Sequence, residues 1–315
     1  MIFRNAYDLV LDDLFLDLGG FVPGVDLTLK IEGLNPAGSI KLKAAVGLLE
    51  DLERRGVLQP GGRVIESSSG NLGIALSSVC AARGYRFTCV ADPNTAAMSV
   101  RLMRAYGAEV VIVDHRDANG GFLQSRIDHI HARLREDPGL VWPNQYANEA
   151  NPRAHYRRTA PALLKEQQVD ILFVGAGTTG TLMGCAEYFR EYSPGTRIVA
   201  VDAVGSVTFG SAPARRHIPG LGTSRRPEIF RDGLVDEVVM VPESEAVRMC
   251  RQLATRRGIL AGGSTGSVLA AVAARRHDIP EGASVVAISP DLGERYLDTI
   301  YDDDWVGERF GAADD

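Results

Sequence analysis

Glycine-rich turns that each open a helix constrain this chain more than any other feature. SSSGNLG spans residues 67–73, GAGTTGTLMG spans 175–184, and AGGSTGS spans 261–267. The first two follow a short apolar run, and a helical apolar pattern follows each turn. A helix that starts straight from small residues leaves its first N–H groups without acceptors, with the positive end of its dipole beside them. Such a turn suits a phosphate or a carboxylate. It also suits an ordinary tight strand-to-helix connection, and the pattern alone keeps both readings open.

The same alternation runs along the chain. Strands are expected at 27–31, 63–66, 87–91, 109–113, 171–174, 198–202, 237–241 and 284–289. Helices are expected at 40–54, 73–83, 97–106, 122–136, about 155–167, and 243–257. The strands are apolar without a period of two, so parallel sheets covered on both faces are predicted. The 109–113 strand reads as buried. The fold class is α/β, with two doubly wound parallel-sheet lobes. Residues 311–315, GAADD, read as a frayed tail.

Composition narrows the functions. With 315 residues, 45% of them apolar, a large core is available. A net charge of −6 lacks the basic excess of a nucleic-acid binder. No run of about 20 apolar residues spans a membrane, and the N-terminus has no basic and apolar leader pattern. A soluble cytoplasmic protein acting on small molecules is expected. Cys80, Cys89, Cys185 and Cys250 show no metal-ligand spacing and read as buried free thiols. No metal site is expected. Of the 34 basic residues only Lys30, Lys41, Lys43 and Lys165 carry a primary amine. Any covalent amine chemistry is confined to these four.

NPAGSIKLK, residues 35–43, puts a turn before a helix, with Ser39 as a plausible N-cap and Lys41 in the first turn. A solvated lysine is the ordinary reading there. Gly177, Thr178, Thr179, Gly180 and Thr181 would offer N–H and hydroxyl donors around one anion. This loop partly mimics a dinucleotide fingerprint, for which Asp202 is the nearest acidic partner. A nicotinamide-dependent dehydrogenase is therefore a rival of another class. Ser264 fits either a helix cap or a bond to a heterocyclic nitrogen.

Taken in order, these segments resemble the fold-type II pyridoxal phosphate family of cysteine synthase and cystathionine β-synthase, over about residues 27–305. The resemblance implies that Lys41 carries the cofactor, pyridoxal 5'-phosphate, and is the catalytic residue. It implies that Asn71 bonds the ring's 3′-oxygen, that Gly177, Thr178, Thr179, Gly180 and Thr181 cup the phosphate, and that Ser264 meets the pyridine nitrogen, Thr265 being the second choice. Backbone N–H groups from Ser68, Ser69, Gly70 and Leu72 would hold a substrate carboxylate, with Gln145 nearby. Arg225, Arg226 and Lys43 are candidate cations for a leaving phosphate. The resemblance further implies lobes at 1–38 with 147–315, and at 39–146, and a homodimer.

Within that family, ESSSGNLGIAL, NQYANE, IPGLGTSRRPEI and PDLGERYLDTIYDDDW resemble a branch that joins O-phospho-L-serine to L-glutamate. Its product serves 2,3-diaminopropionate formation for siderophores or peptide antibiotics. A cysteine-synthase activity with a sulfur nucleophile is the alternative. Leu72, Thr179 and the 217–227 loop depart from cysteine synthases, which typically have threonine, glycine and a different loop there. Lys43 and LDDLFLDL at 11–18 also depart from the family pattern.

Overall fold

The computed structural model describes residues 2–117 and 120–311. Of the expected tail only Gly311 falls among them. The chain opens with β1 (Phe15–Asp17) and β2 (Asp26–Ile31), then α1 (Lys41–Arg54), β3 (Arg63–Ser67), α2 (Asn71–Arg83) and β4 (Arg86–Ala91). It continues through α3 (Ala97–Ala105), β5 (Glu109–Ile112), α4 (Leu123–Glu136), β6 (Leu140–Val141), α5 (Ala150–Arg157) and α6 (Thr159–Glu166). Then come β7 (Ile171–Gly175), α7 (Gly180–Tyr192), β8 (Arg197–Ala203) and β9 (Glu237–Val241). Last are α8 (Glu243–Arg257), α9 (Gly263–Ala274), β10 (Ser284–Ser289) and α10 (Asp303–Phe310).

Two sheets form. One has six strands in the order β1-β2-β10-β7-β8-β9, and the other four in the order β5-β4-β3-β6. All pairings are parallel except β1 with β2. Apolar residues on both sides of each central strand explain the larger sheet. In β7, Ile171 and Phe173 enter one core while Leu172 and Val174 enter the other. In β10, Val285 and Ala287 divide from Val286 and Ile288 in the same way. Each fully buried Val, Leu, Ile or Phe contributes about 1.5–3 kcal/mol. A third core joins α1 and α2 to the smaller sheet through Leu42, Leu48, Leu49, Leu52, Leu72, Leu76 and Val64.

Three local expectations change. β5 is not buried: its residues are half-buried or exposed, because it is an edge strand with a neighbour on one side only. The helix expected over 155–167 is two helices. The first begins at Ala150 and tolerates Pro152 in its first turn, where a missing N–H costs little. It breaks at Arg158, whose backbone (φ −126°, ψ −59°) leaves the helical path. Ser39 does not cap α1: Ile40 occupies the cap position without a side-chain bond, and the Ser39 hydroxyl has no partner among the described residues. No helix among the described residues is long and apolar enough to cross a membrane.

Candidate active site

In parallel sheets, ligands collect beyond the carboxyl ends of the strands. Here β3 runs into the start of α2, and β7 into the start of α7. One cavity is lined by Lys41, Asn71, Gly177, Thr178, Thr179, Gly180, Thr181 and Ser264, with Ile40, Gly175, Gly220, Leu221 and Pro290 completing it. Residues from 41 to 264 are thus brought to one place. A larger cleft of about 980 Å³ lies elsewhere, along Glu50, Arg54, Trp142 and Arg153, and holds none of these groups except the neighbouring helix α1.

Lys41 is the first residue of α1. Burial of its amine pushes its pKa down to about 8, with the nearby Asp291 charge opposing the shift. A neutral amine is the nucleophile that a carbonyl cofactor requires. The rate at which cofactor-free protein takes up pyridoxal phosphate should therefore rise with pH and level off above about 8. An amine at its ordinary value of 10.5 would instead gain about tenfold per pH unit through 9. Stopped-flow absorbance across pH 6.5–10 separates the two.

The cup fits an anion. The N–H groups of Gly180, Thr181 and Leu182 precede the first bond inside α7, from Met183 N to Thr179 O at 2.8 Å. Thr179 has φ +67°, in the left-handed region where the family's glycine would be unstrained. Its buried hydroxyl has no partner among the described residues, so a donor waits at a strained position. A Cβ on Gly177 would lie 2.6 Å from Gly220 O, and one on Gly180 would collide with Asn151 Oδ1. The backbone approaches this closely only because both are glycine.

Ser264 lies within the first turn of α9, whose cap is Gly262. The capping reading fails, and its hydroxyl lines the cavity. Thr265 instead bonds Ser289 Oγ at 2.9 Å. Asn71 is held from behind: its Nδ2 donates to Asp291 Oδ2 (2.7 Å) and its Oδ1 accepts from Arg295 (2.5 Å). Tyr296 donates to the same Asp291 oxygen at 2.5 Å. The PDLGERY segment thus fixes which way the Asn71 amide points, a role its sequence alone did not suggest.

The 67–71 loop offers fewer free donors than expected. Ser68 N is engaged with Val90 O, and Gly70 N with Ser68 Oγ. Asn71 and Leu72 start a helix, so their N–H groups have no acceptor inside it. The Leu72 side chain is core. Gln145 does reach this loop, donating from Nε2 to Ser67 O (2.9 Å), while its own N–H donates to Glu66. Burial raises Glu66 to about 7 against bonds from Trp142 and the backbone.

Three candidate cations are not in the cavity. Arg225 pairs with Glu228 and Arg226 with Asp232 on the surface. Lys43 is buried in an ion cluster, 2.7 Å from both Glu32 and Asp12. Arg126, which sequence reasoning passed over, is a further cation outside the cavity lining. It stands in the first turn of α4, at the carboxyl edge of the smaller sheet, and is buried. Its Nη1 is 3.4 Å from Asp92, yet Nε and Nη1 have no hydrogen-bond partner among the described residues. Its charge reaches Tyr146 and Cys89, and Cys89 touches Ser68 O at 3.3 Å. All four cysteines are free and buried.

The nicotinamide rival lacks its geometry. Asp202 is buried, accepts from Ala203 N (2.8 Å), and is raised to about 6 by burial. It does not line the cavity. A desolvated lysine amine, a Gly/Thr turn that fits an anion and a serine lining the same cavity are the groups that a fold-type II pyridoxal phosphate site requires. The chain belongs to the pyridoxal-phosphate dependent enzymes, whose family model matches residues 16–291. Two relatives carry the name N-(2-amino-2-carboxyethyl)-L-glutamate synthase. The one from Ralstonia nicotianae is 42% identical over 286 residues, 90% of this chain and 84% of the relative. The one from Cupriavidus metallidurans is 43% identical over 282 residues, 88% and 83% respectively. The crystal structure of O-ureido-L-serine synthase superposes with a TM-score of 0.89 at 32% identity, covering 100% of this chain and 98% of that one.

Proposed function

We propose that this enzyme replaces the phosphate of O-phospho-L-serine by the amine of L-glutamate, giving N-(2-amino-2-carboxyethyl)-L-glutamate. The observation that supports this product is the likeness, over about nine-tenths of the chain, to relatives named for it; O-phospho-L-serine as donor rests on the sequence resemblance. Pyridoxal phosphate, when bound, supplies the electron-withdrawing ring that lets one β-substituent leave an amino acid and another add. Lys41 would hold it covalently, and the cup at 177–181 would hold its phosphate.

The chain's own groups supply the rest. The Lys41 amine takes the proton from the substrate Cα and later returns it. Ser264, a neutral hydroxyl, stabilises a protonated ring nitrogen far less than a carboxylate would, which favours loss of the β-group over transamination. The N–H groups at Asn71 and Leu72 hold the α-carboxylate beside the amine. Arg126, buried with two nitrogens that have no hydrogen-bond partner among the described residues, suits a phosphate or carboxylate through its fork of donors. Movement of the 39–146 lobe would close the 67–71 loop over the substrate and keep out water. The product would serve 2,3-diaminopropionate formation.

The test is to mix enzyme, O-phospho-L-serine and L-glutamate and follow phosphate release and product mass. The adduct mass with stoichiometric phosphate is the expected result. Turnover with sulfide but none with glutamate would move the enzyme to the cysteine-synthase branch.

A further inference from the structure

Lys43, two residues past Lys41, is buried with Glu32 and Lys30 against the half-buried Asp12, and Arg158 closes the cluster through Asp12. A line of side chains leads from it back to the cup. Lys43 Nζ is 3.3 Å from Thr159 Oγ1, which is 3.1 Å from His155 Nδ1. His155 Nε2 is 3.3 Å from Thr181 Oγ1. Lys43, Thr159 and His155 are all buried, and Thr181 lines the cavity.

We infer that this line has one direction, set by Lys43, and that it obliges the Thr181 hydroxyl to present its hydrogen to the cofactor's phosphate. The inference rests on the pyridoxal phosphate assignment. An ammonium only donates, so Thr159 Oγ accepts from Lys43 and turns its own hydrogen to His155 Nδ1. Burial, with Lys43 and Lys41 facing the ring, holds the His155 pKa well below its ordinary value, so the ring is neutral and carries one N–H. With Nδ1 accepting, that hydrogen is on Nε2 and is donated to Thr181. The Thr181 hydrogen is left for the cup. In the reverse sense Thr181 would donate to His155 and turn a lone pair towards the phosphate, which repels it. The Lys43 charge thus acts on the cup through three hydrogen bonds, as a positioning residue.

The near-isosteric Thr159→Val variant cuts the line without leaving a charge unpaired. In full-length protein its affinity for pyridoxal phosphate should fall about tenfold, the loss expected for one weakened hydrogen bond to a charged group. Affinity for pyridoxal, which lacks the phosphate, should not change. In a Thr181→Val background the same substitution should have no further effect. Imidazole ¹⁵N spectra of the holoenzyme, assigned with His155→Gln, should give the Nε2–H tautomer in wild type and a growing Nδ1–H population in Thr159→Val. Equal losses for pyridoxal phosphate and pyridoxal would make Thr159 merely structural and overturn the inference. A wild-type Nδ1–H tautomer would overturn it too.

Discussion

Lys41→Ala is expected to give a folded protein that binds no cofactor covalently and turns over no substrate. The other three amines cannot stand in. Lys30 and Lys43 are buried against Glu32 and Asp12, and Lys165 is on the surface beside Asp13. The loss of a positioned proton carrier alone lowers a rate by about 10²–10⁴-fold. Loss of the covalent bond adds to that, so residual turnover should be below detection. Folding should survive, because α1 packs through Leu42, Leu48, Leu49 and Leu52 rather than through Lys41. Removing a desolvated amine exposes no core. The check is borohydride reduction of the holoenzyme followed by peptide mass: wild type should carry the cofactor mass on the peptide with Lys41, and the variant on none. Cofactor on another lysine, or near-normal turnover, would defeat the assignment.

The glycine turns made the fold legible because they state a backbone requirement. A residue that must approach another backbone, as Gly177 approaches Gly220, is glycine wherever it falls in the chain. The alternating cores of β7 and β10 were legible for a similar reason: a strand buried on both faces has no polar side. Pairings between distant charges left no such mark. Lys43 and the LDDLFLDL segment looked like two unrelated departures from the family. In the fold they are one feature, since Asp12 of that segment is 2.7 Å from Lys43. A buried ammonium without a carboxylate is strongly disfavoured, so each departure makes the other tolerable. Sequence order also could not show where Arg225 lies. Two adjacent arginines after a glycine loop suit a phosphate, but Glu228, three residues on, pairs with the first of them on the surface. Arg126 escaped notice because it sits in an ordinary amphipathic helix, where burial is a property of the fold alone.

Arg126 carries the second large expectation. Two guanidinium nitrogens buried without hydrogen-bond partners among the described residues leave donors that an incoming anion would satisfy, and hydrogen bonds to charged groups contribute about 1.5–3 kcal/mol. The helix places this residue at the same sheet edge as the 67–71 loop, where the substrate's α-carboxylate is expected. Arg126→Gln should raise the KM for O-phospho-L-serine about 10–100-fold, with pyridoxal phosphate content unchanged. Arg126→Lys, which keeps the charge but loses the planar fork, should fall between. The substitution also removes the partner of the buried Asp92, so stability must be watched: breaking such a pair costs about 3–5 kcal/mol. The double variant with Asp92→Asn removes that complication, and it should regain stability without regaining affinity. Steady-state kinetics in both substrates reads the result. A rise confined to glutamate would give Arg126 to the acceptor's carboxylate instead. Unchanged KM values for both substrates in a stable variant would make Arg126 a structural partner of Asp92 and nothing more.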